Sequence, residues 1–264
     1  MRYFVHFAYD GTAYCGWQVQ PGVPTVQATL DQALSRVLRQ PTHTTGSGRT
    51  DTGVHASHQV AHFEAELAPA LTLELLCYRL NRALPSDVRV LRVHPVGEHD
   101  HARFSAEART YEYCVSLQPN PFRRDQALAL DNAPNVATMN EAAAYLVGQF
   151  DFTAFSKVKG GENHYICYVY EAAWQPDLHH PDSLIFRIRA NRFVRGMVRL
   201  VVGTLLDVGR GKLTPTEFKQ VLYRQQRIAA SGAAPAKGLY LSKVEYAAGI
   251  VPGDAVFTDP AYLV

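Results

Sequence analysis

Cysteine is scarce in this chain and never paired in sequence. Four of 264 residues, Cys15, Cys77, Cys114 and Cys167, lie far apart with no C-x-x-C spacing. That pattern argues against a disulfide framework and a cysteine-ligated zinc site, and it suits a reducing cytoplasm. Charge is also modest. Charged residues make up 19% and the formal net charge is +2, so bulk charge does not announce a nucleic-acid partner; such a role has to rest on local clustering. Met1-Arg2-Tyr3 passes directly into strand-like sequence without a charged and then apolar leader, so neither a secretory signal nor a membrane span is expected. Gly46 and Gly48 are not followed by the spacing of a phosphate loop or a dinucleotide fingerprint, which argues against nucleotide cofactors. No repeat is visible at the level of sequence.

What the chain does have is a mixed order of elements. Tyr3, Val5, Phe7 and Tyr9 alternate with Phe4, His6 and Ala8, which predicts a strand from Arg2 to Tyr9. Thr25 is placed to cap a helix carrying Val26, Leu30, Leu34, Val37 and Leu38, and Pro41 stops it. A strand is expected over Gln59–Glu66, a helix capped by Thr72 through Ala83, and a strand over Val88–Val96. The polar, histidine-rich stretch Gly97–Arg103 marks a domain boundary, giving an N-terminal half over residues 1–105 and a C-terminal half over 106–264. The second half reads as a strand over Thr110–Leu117 and an irregular stretch to Pro134. A helix beginning at Thr138 or Asn140 follows, then a loop over Phe152–Glu162 and strands over Tyr165–Trp174 and Leu184–Ala190. Helices over Phe193–Val208 and Thr214–Tyr223 and a last strand over Leu239–Tyr246 complete it. Mixed order with adjacent strands favours an α+β fold with a largely antiparallel sheet.

The densest local signal is Gly46-Ser47-Gly48-Arg49-Thr50-Asp51-Thr52-Gly53-Val54-His55-Ala56. Glycine admits positive φ and close backbone approach. An arginine beside an aspartate in such a loop presents a phosphate anchor and a reactive carboxylate together. The ordinary alternative is a tight turn whose Arg49 and Asp51 pair with each other. Farther along, Arg192, Arg195 and Arg199 are spaced by three and four, which predicts three guanidiniums on one helical face, with Val194, Val198, Val201, Val202 and Leu205 opposite. Arg187 and Arg189 share a strand face just upstream. A helix that apolar is expected to pack deeply, and an arginine there requires a carboxylate or phosphate partner; a solvated basic face is the plain alternative. Tyr111 opens a strand and reads by itself as a cross-strand packing residue. His55, His58 and His62 invite a metal reading, but only His58 and His62 share a strand face and no cysteine joins them, so no metal site is expected.

Gly48-Arg49-Thr50-Asp51-Thr52-Gly53-Val54-His55 resembles the active-site motif of the tRNA pseudouridine synthase A family. Other stretches agree in order: Tyr9-Asp10-Gly11-Thr12, Tyr14-Cys15-Gly16-Trp17-Gln18, His101-Ala102-Arg103-Phe104-Ser105, Arg109-Thr110-Tyr111, Asp151-Phe152-Thr153-Ala154-Phe155, Asn191 to Arg199, and Gly238-Leu239-Tyr240-Leu241. The resemblance implies two similar α/β halves whose mostly antiparallel sheets join around a central active-site cleft. It implies isomerisation of uridine to pseudouridine at nucleotides 38, 39 and 40 of the tRNA anticodon stem-loop, in the cytoplasm, by a homodimer that uses no metal or organic cofactor and touches no membrane or DNA. Asp51 would be the catalytic nucleophile and Arg199 its counter-charge. Tyr111 would lie against the target uracil, and Arg49, His101, Arg103, Arg109 and Arg195 would bind the substrate. Two competing classes are a non-catalytic RNA-binding protein on the same scaffold and an aspartate-dependent hydrolase. A carboxylate among phosphates does nothing for binding alone, which weighs against the first. No second acidic residue stands beside Asp51 in the sequence to complete a hydrolytic pair, which weighs against the second.

Overall fold

A computed structural model describes residues 1–157, 164–224 and 230–251. The chain is α+β and divides into two units, one formed by Met1–Glu107 with the chain from Tyr240 onward, the other by Ala108–Leu239.

In the first unit, β1 (Arg2–Tyr9) lies between β3 (His55–Glu64) and β4 (Val88–Val96) and pairs antiparallel with both. A two-residue strand, β2 (Thr45–Gly46), pairs with β3 on the way into the glycine-rich loop. Helix α1 (Val26–Leu38) starts where Thr25 Oγ1 accepts the Ala28 N–H at 3.4 Å, and it buries Val26, Leu30, Ala33 and Leu34. Helix α2 (Leu73–Ala83) is capped by Thr72, whose Oγ1 accepts the Leu75 N–H at 3.2 Å; it buries Leu76 and Leu80 and packs on α1 and β4. The β3 strand begins four residues earlier than Gln59, the expected start, so His55 is already in the ladder.

Three buried histidines tie this sheet together. The Val244 N–H donates to His58 Nδ1 at 3.4 Å. His58 Nε2 meets His6 Nδ1 at 2.9 Å, His6 Nε2 meets His94 Nε2 at 2.9 Å, and His94 Nδ1 meets the Pro95 carbonyl at 3.2 Å. A backbone N–H only donates and a carbonyl only accepts, so one set of tautomers satisfies the whole row. His58 carries its hydrogen on Nε2, His6 on Nε2 and His94 on Nδ1, and all three are neutral. Burial lowers the affinity of each for a further proton, holding His58 at about 4 and His6 well below the usual histidine range.

In the second unit, β5 (Ala106–Ser116) pairs with β9 (Ser183–Ala190), β9 with β8 (Ile166–Pro176), and β8 with β7 (Gly148–Asp151), each pair antiparallel. A short β6 (Leu128–Ala129) runs parallel to β5. Helix α3 (Val136–Ala144) is capped by Asn135, whose Oδ1 accepts the Thr138 N–H at 3.2 Å; the expected starts at Thr138 and Asn140 lie inside the helix. Helix α5 (Pro215–Arg224) follows a reciprocal cap: Thr214 Oγ1 accepts from the Glu217 N–H at 3.1 Å while Glu217 Oε2 accepts from the Thr214 N–H at 2.7 Å. Helix α4 (Met197–Gly209) has most of its residues buried, and α3 packs on α4, α5 and β8. Of the expected loop Phe152–Glu162, Thr153–Phe155 forms a 3-10 turn and residues 158–162 lie outside the described residues.

The start of α4 corrects one sequence expectation. Gly196 stands at its N-cap with φ of 75°, so the helix begins at Met197 and not at Phe193. Arg192 and Arg195 therefore precede it, and the expected helical face of three guanidiniums does not form. Arg192 Nη1 instead donates to the His164 carbonyl at 3.2 Å. The left-handed turn at Gly196 breaks the periodicity that the spacing suggested.

The last strand, β10 (Leu239–Tyr246), enters the first unit by parallel pairing with β3, with Tyr240 opposite His55 and Leu241 opposite Ala56. Among the described residues no helix is long and apolar enough to cross a membrane.

Candidate active site

The loop from Gly46 to His55 lies against the segment Tyr9–Trp17, and the fit leaves no room for side chains at three glycines. A Cβ on Gly11 would stand 2.0 Å from the Val54 carbonyl oxygen, one on Gly16 2.5 Å from that of Thr50, and one on Gly46 2.7 Å from the Trp17 ring. Backbone bonds lock the contact: Trp17 N–H donates to Thr50 O at 3.1 Å and Gly53 N–H to Tyr14 O at 3.3 Å. Within the loop, Val54 N–H returns to Asp51 O at 3.1 Å, closing a turn that Gly53 completes at φ 74°. Upstream, the Ser47 N–H reaches Val60 O at 2.7 Å, and the buried Gln59 donates from Nε2 to Gly48 O at 3.2 Å. Asp51 therefore sits half-buried at the crest of a braced turn, with Arg49 exposed beside it.

His55, where the loop enters β3, is buried and occupied. Its ring stacks on Tyr240 with centroids 4.7 Å apart, and its Nδ1 lies 3.1 Å from the Gly11 N–H and 3.2 Å from Asp10 Oδ1. The His55 contact, with the Thr12 N–H and hydroxyl, holds the Asp10 carboxyl well below the usual carboxylate range. His62 accepts the Ala102 N–H at Nδ1 and stands edge-on to His101. His58 and His62, though on one strand, thus serve different partners. Among the described residues no three His, Cys, Asp or Glu side chains are grouped to hold a metal ion.

His101 organises its own turn. Its Nδ1 accepts the Arg103 and Phe104 N–H groups at 3.1 and 3.3 Å, and Ser105 Oγ accepts the His101 N–H at 2.9 Å. Arg103 and Phe104 are left exposed, with the guanidinium 5.7 Å from the ring centroid.

The second unit carries the other expected residues. Tyr111 is half-buried on β5 and packs edge-on against Phe193, with centroids 5.0 Å apart. Arg109 Nη1 donates to Asn191 O at 3.0 Å. Arg195 is exposed in the turn before α4, and its carbonyl accepts the Lys157 N–H at 2.9 Å. Arg199, in the first turn of α4, donates from Nε to Ala234 O at 2.7 Å while the Ala234 N–H returns to Arg199 O at 2.8 Å. That reciprocal contact fixes the guanidinium plane. It exists because Gly203, one helical turn on, lets the chain at Gly232 pass directly over the helix; a Cβ on Gly203 would stand 2.0 Å from Gly232 O. Arg187 lies 3.0 Å from Glu171 and 3.8 Å from Glu112, and Arg189 covers the Tyr170 ring at 4.6 Å.

Asp51, Arg49, His101 and Arg103 thus belong to the first unit, and Arg109, Tyr111, Arg195 and Arg199 to the second. Sequence reading passed over the supports: Gln59 under the loop, and Ala234 under Arg199. Both act through backbone contacts distant in sequence, which no local pattern announces.

A family model described as tRNA pseudouridine synthase matches this chain over residues 6–109 and 142–247. The "tRNA pseudouridine synthase A" of Bacteroides thetaiotaomicron is 46% identical to it over 245 residues, spanning 93% of this chain and 90% of that protein. The protein of the same name from Bacillus pumilus is 41% identical over 243 residues, spanning 90% and 96%. That of Chlorobaculum tepidum is 41% identical over 240 residues, spanning 90% and 95%.

Proposed function

The chain belongs to the tRNA pseudouridine synthase family, and from that premise we propose that it modifies the anticodon stem-loop, at nucleotides 38, 39 and 40. It is an isomerase that converts uridine in tRNA to pseudouridine. The reaction breaks the N1–C1′ bond of the uridine, turns the base and forms a C5–C1′ bond. The C5 proton is lost and N1 gains one, so the product has the composition of the substrate.

In this reading Asp51 supplies the carboxylate that acts on the nucleotide. The brace beneath it matters because a reacting group must be held within a fraction of an ångström of its target. Arg199 supplies the cation that keeps such a carboxylate ionised once RNA excludes water. Its Nε commitment to Ala234 is compatible with a bidentate approach through the two Nη groups. Tyr111 offers an apolar ring to the uracil and a hydroxyl for proton transfer. A stem nucleotide has to leave its stack to react, and Arg49, exposed beside Asp51, is placed to enter the gap or hold a phosphate. Arg103, Arg109 and Arg195, with the His101 turn, supply further backbone contacts. We also propose a homodimer, acting in the cytoplasm on one tRNA per pair of subunits.

The observation that carries the reading is the presentation of Asp51 on a turn braced on both sides, inside the stretch that the family model matches. The test is to map pseudouridine after carbodiimide derivatisation of unmodified tRNA transcripts incubated with the enzyme. Product at 38, 39 or 40 is expected. Product only outside the anticodon arm would refute the proposed specificity.

A further inference from the structure

Tyr9 belongs to a motif, Tyr9-Asp10-Gly11-Thr12, to which the reaction gives no role. It ends β1, is almost fully buried, and its hydroxyl lies 2.8 Å from Thr50 Oγ1, which is buried as well. Thr50 immediately precedes Asp51. Its carbonyl is already fixed by the Trp17 N–H, and Gly16, at φ 84°, leaves the space that this bond needs. On the other side of Asp51, its own carbonyl accepts from Val54 and Gly53 is held by Tyr14. Among these contacts the hydroxyl pair joins two side chains directly, so it can be removed without touching the backbone.

We propose that Tyr9 and Thr50 are a positioning pair for Asp51: their hydrogen bond anchors the residue before the carboxylate to the end of β1 and so sets the direction in which Asp51 points. The pair is buried beneath the turn and does not itself touch substrate. Losing it leaves the loop folded, because three backbone bonds still hold it, but lets the Thr50–Asp51 peptide rock. Misplacement of a reacting group by about an ångström lowers turnover without lowering affinity. The inference rests on the reading of Asp51 as the catalytic residue.

The experiment measures single-turnover tritium release from tRNA labelled at uridine C5, tRNA affinity by filter binding, and thermal midpoint. It compares the parent with Tyr9→Phe, Thr50→Val, Thr50→Ser, the Tyr9→Phe/Thr50→Val double variant and Asp51→Asn. Tyr9→Phe and Thr50→Val are each expected to slow release by about tenfold at unchanged affinity, and the double variant to be no slower than either single one. Thr50→Ser keeps the hydroxyl and should restore the parent rate to within about twofold. A Tyr9→Phe rate equal to the parent's, a Thr50→Ser as slow as Thr50→Val, or affinity lost in parallel with rate would each overturn the pair. If Asp51→Asn is inactive while Tyr9→Phe turns over normally, the pair alone falls; if Asp51→Asn itself remains active, the reading of Asp51 falls first.

Discussion

Asp51→Asn keeps the shape of the side chain and removes its charge and the ionised oxygen proposed to react. Affinity for tRNA comes from cations meeting phosphates, so a carboxylate in that field opposes it. The variant is expected to bind tRNA at least as tightly as the parent and to yield no pseudouridine, read by filter binding beside tritium release. Turnover near the parent rate would remove Asp51 from the mechanism. Arg199 differs, because it has a structural attachment as well as a proposed chemical one. Arg199→Leu deletes the Nε donor and leaves the Ala234 carbonyl without it, which costs about 1–3 kcal/mol in urea unfolding, and it abolishes activity. Arg199→Lys keeps the charge without the planar fork and is expected to recover little turnover. A Leu variant as stable and as active as the parent would contradict both roles.

At the scale of elements, most helices and strands follow from local pattern. The β1 alternation, the Thr25 and Thr72 caps and the apolar spacing in α1 and α2 all appear where short-range physics places them. What was illegible depended on partners far along the chain. The β3 start is fixed by ladder pairing of His55 with Tyr240 and of Ala56 with Tyr9, not by the alternation of its own residues. The two-residue β2 and the four-residue β7 are too short to carry a period. The arginine spacing before α4 fitted a helix numerically, yet one glycine in the left-handed region ended it. The proposed site divides the same way: motif resemblance singles out Asp51, Tyr111 and Arg199 as candidates, while the contacts of Gln59 beneath the Asp51 turn and of Ala234 with Arg199 became visible only in three dimensions. Gly203 gives this a test. No side chain fits between α4 and Gly232, so Gly203→Ala has to push the two segments apart, at about 1–3 kcal/mol by analogy with overpacked cores. Denaturant unfolding should show that loss, together with weakened activity as Ala234 moves away from Arg199. An unchanged midpoint would mean that the segment yields freely.

For the whole molecule, acid should act through the histidine row. An unfolded histidine binds protons below pH ~6.5, whereas buried His58 resists until about 4 and burial also holds His6 well below the usual histidine range, so the unfolded chain binds more protons throughout that window. Stability is therefore full above about pH 6.5 and falls as pH drops towards 4, by about 1.4 kcal/mol per pH unit for each histidine in play. Arg92 and Lys243 beside the row oppose its protonation further. Thermal melts from pH 8 to 4.5 should be flat and then decline, and a uniform profile across that range would contradict the neutral row. Two association experiments complete the picture. Affinity for tRNA should fall steeply with salt despite a net charge of only +2, because phosphate contacts release counterions. Light scattering should give about twice the 29.3 kDa chain mass, and a monomer at working concentration would count against the homodimer.

The placement of β10 bears on how the protein is made. The first unit holds residues up to Glu107, but its strand beside β3 is supplied only after roughly 130 further residues have been synthesised. At about 5–20 residues per second, a ribosome leaves that unit one strand short for roughly 7–25 s. During that interval His58 lacks the Val244 N–H that fixes its tautomer, Ala102 lacks the Tyr246 hydroxyl, and the edge of β3 that carries the Asp51 turn is open. The first unit is thus completed only after the second has been synthesised, and the turn that carries Asp51 gains the support of β10 at that point.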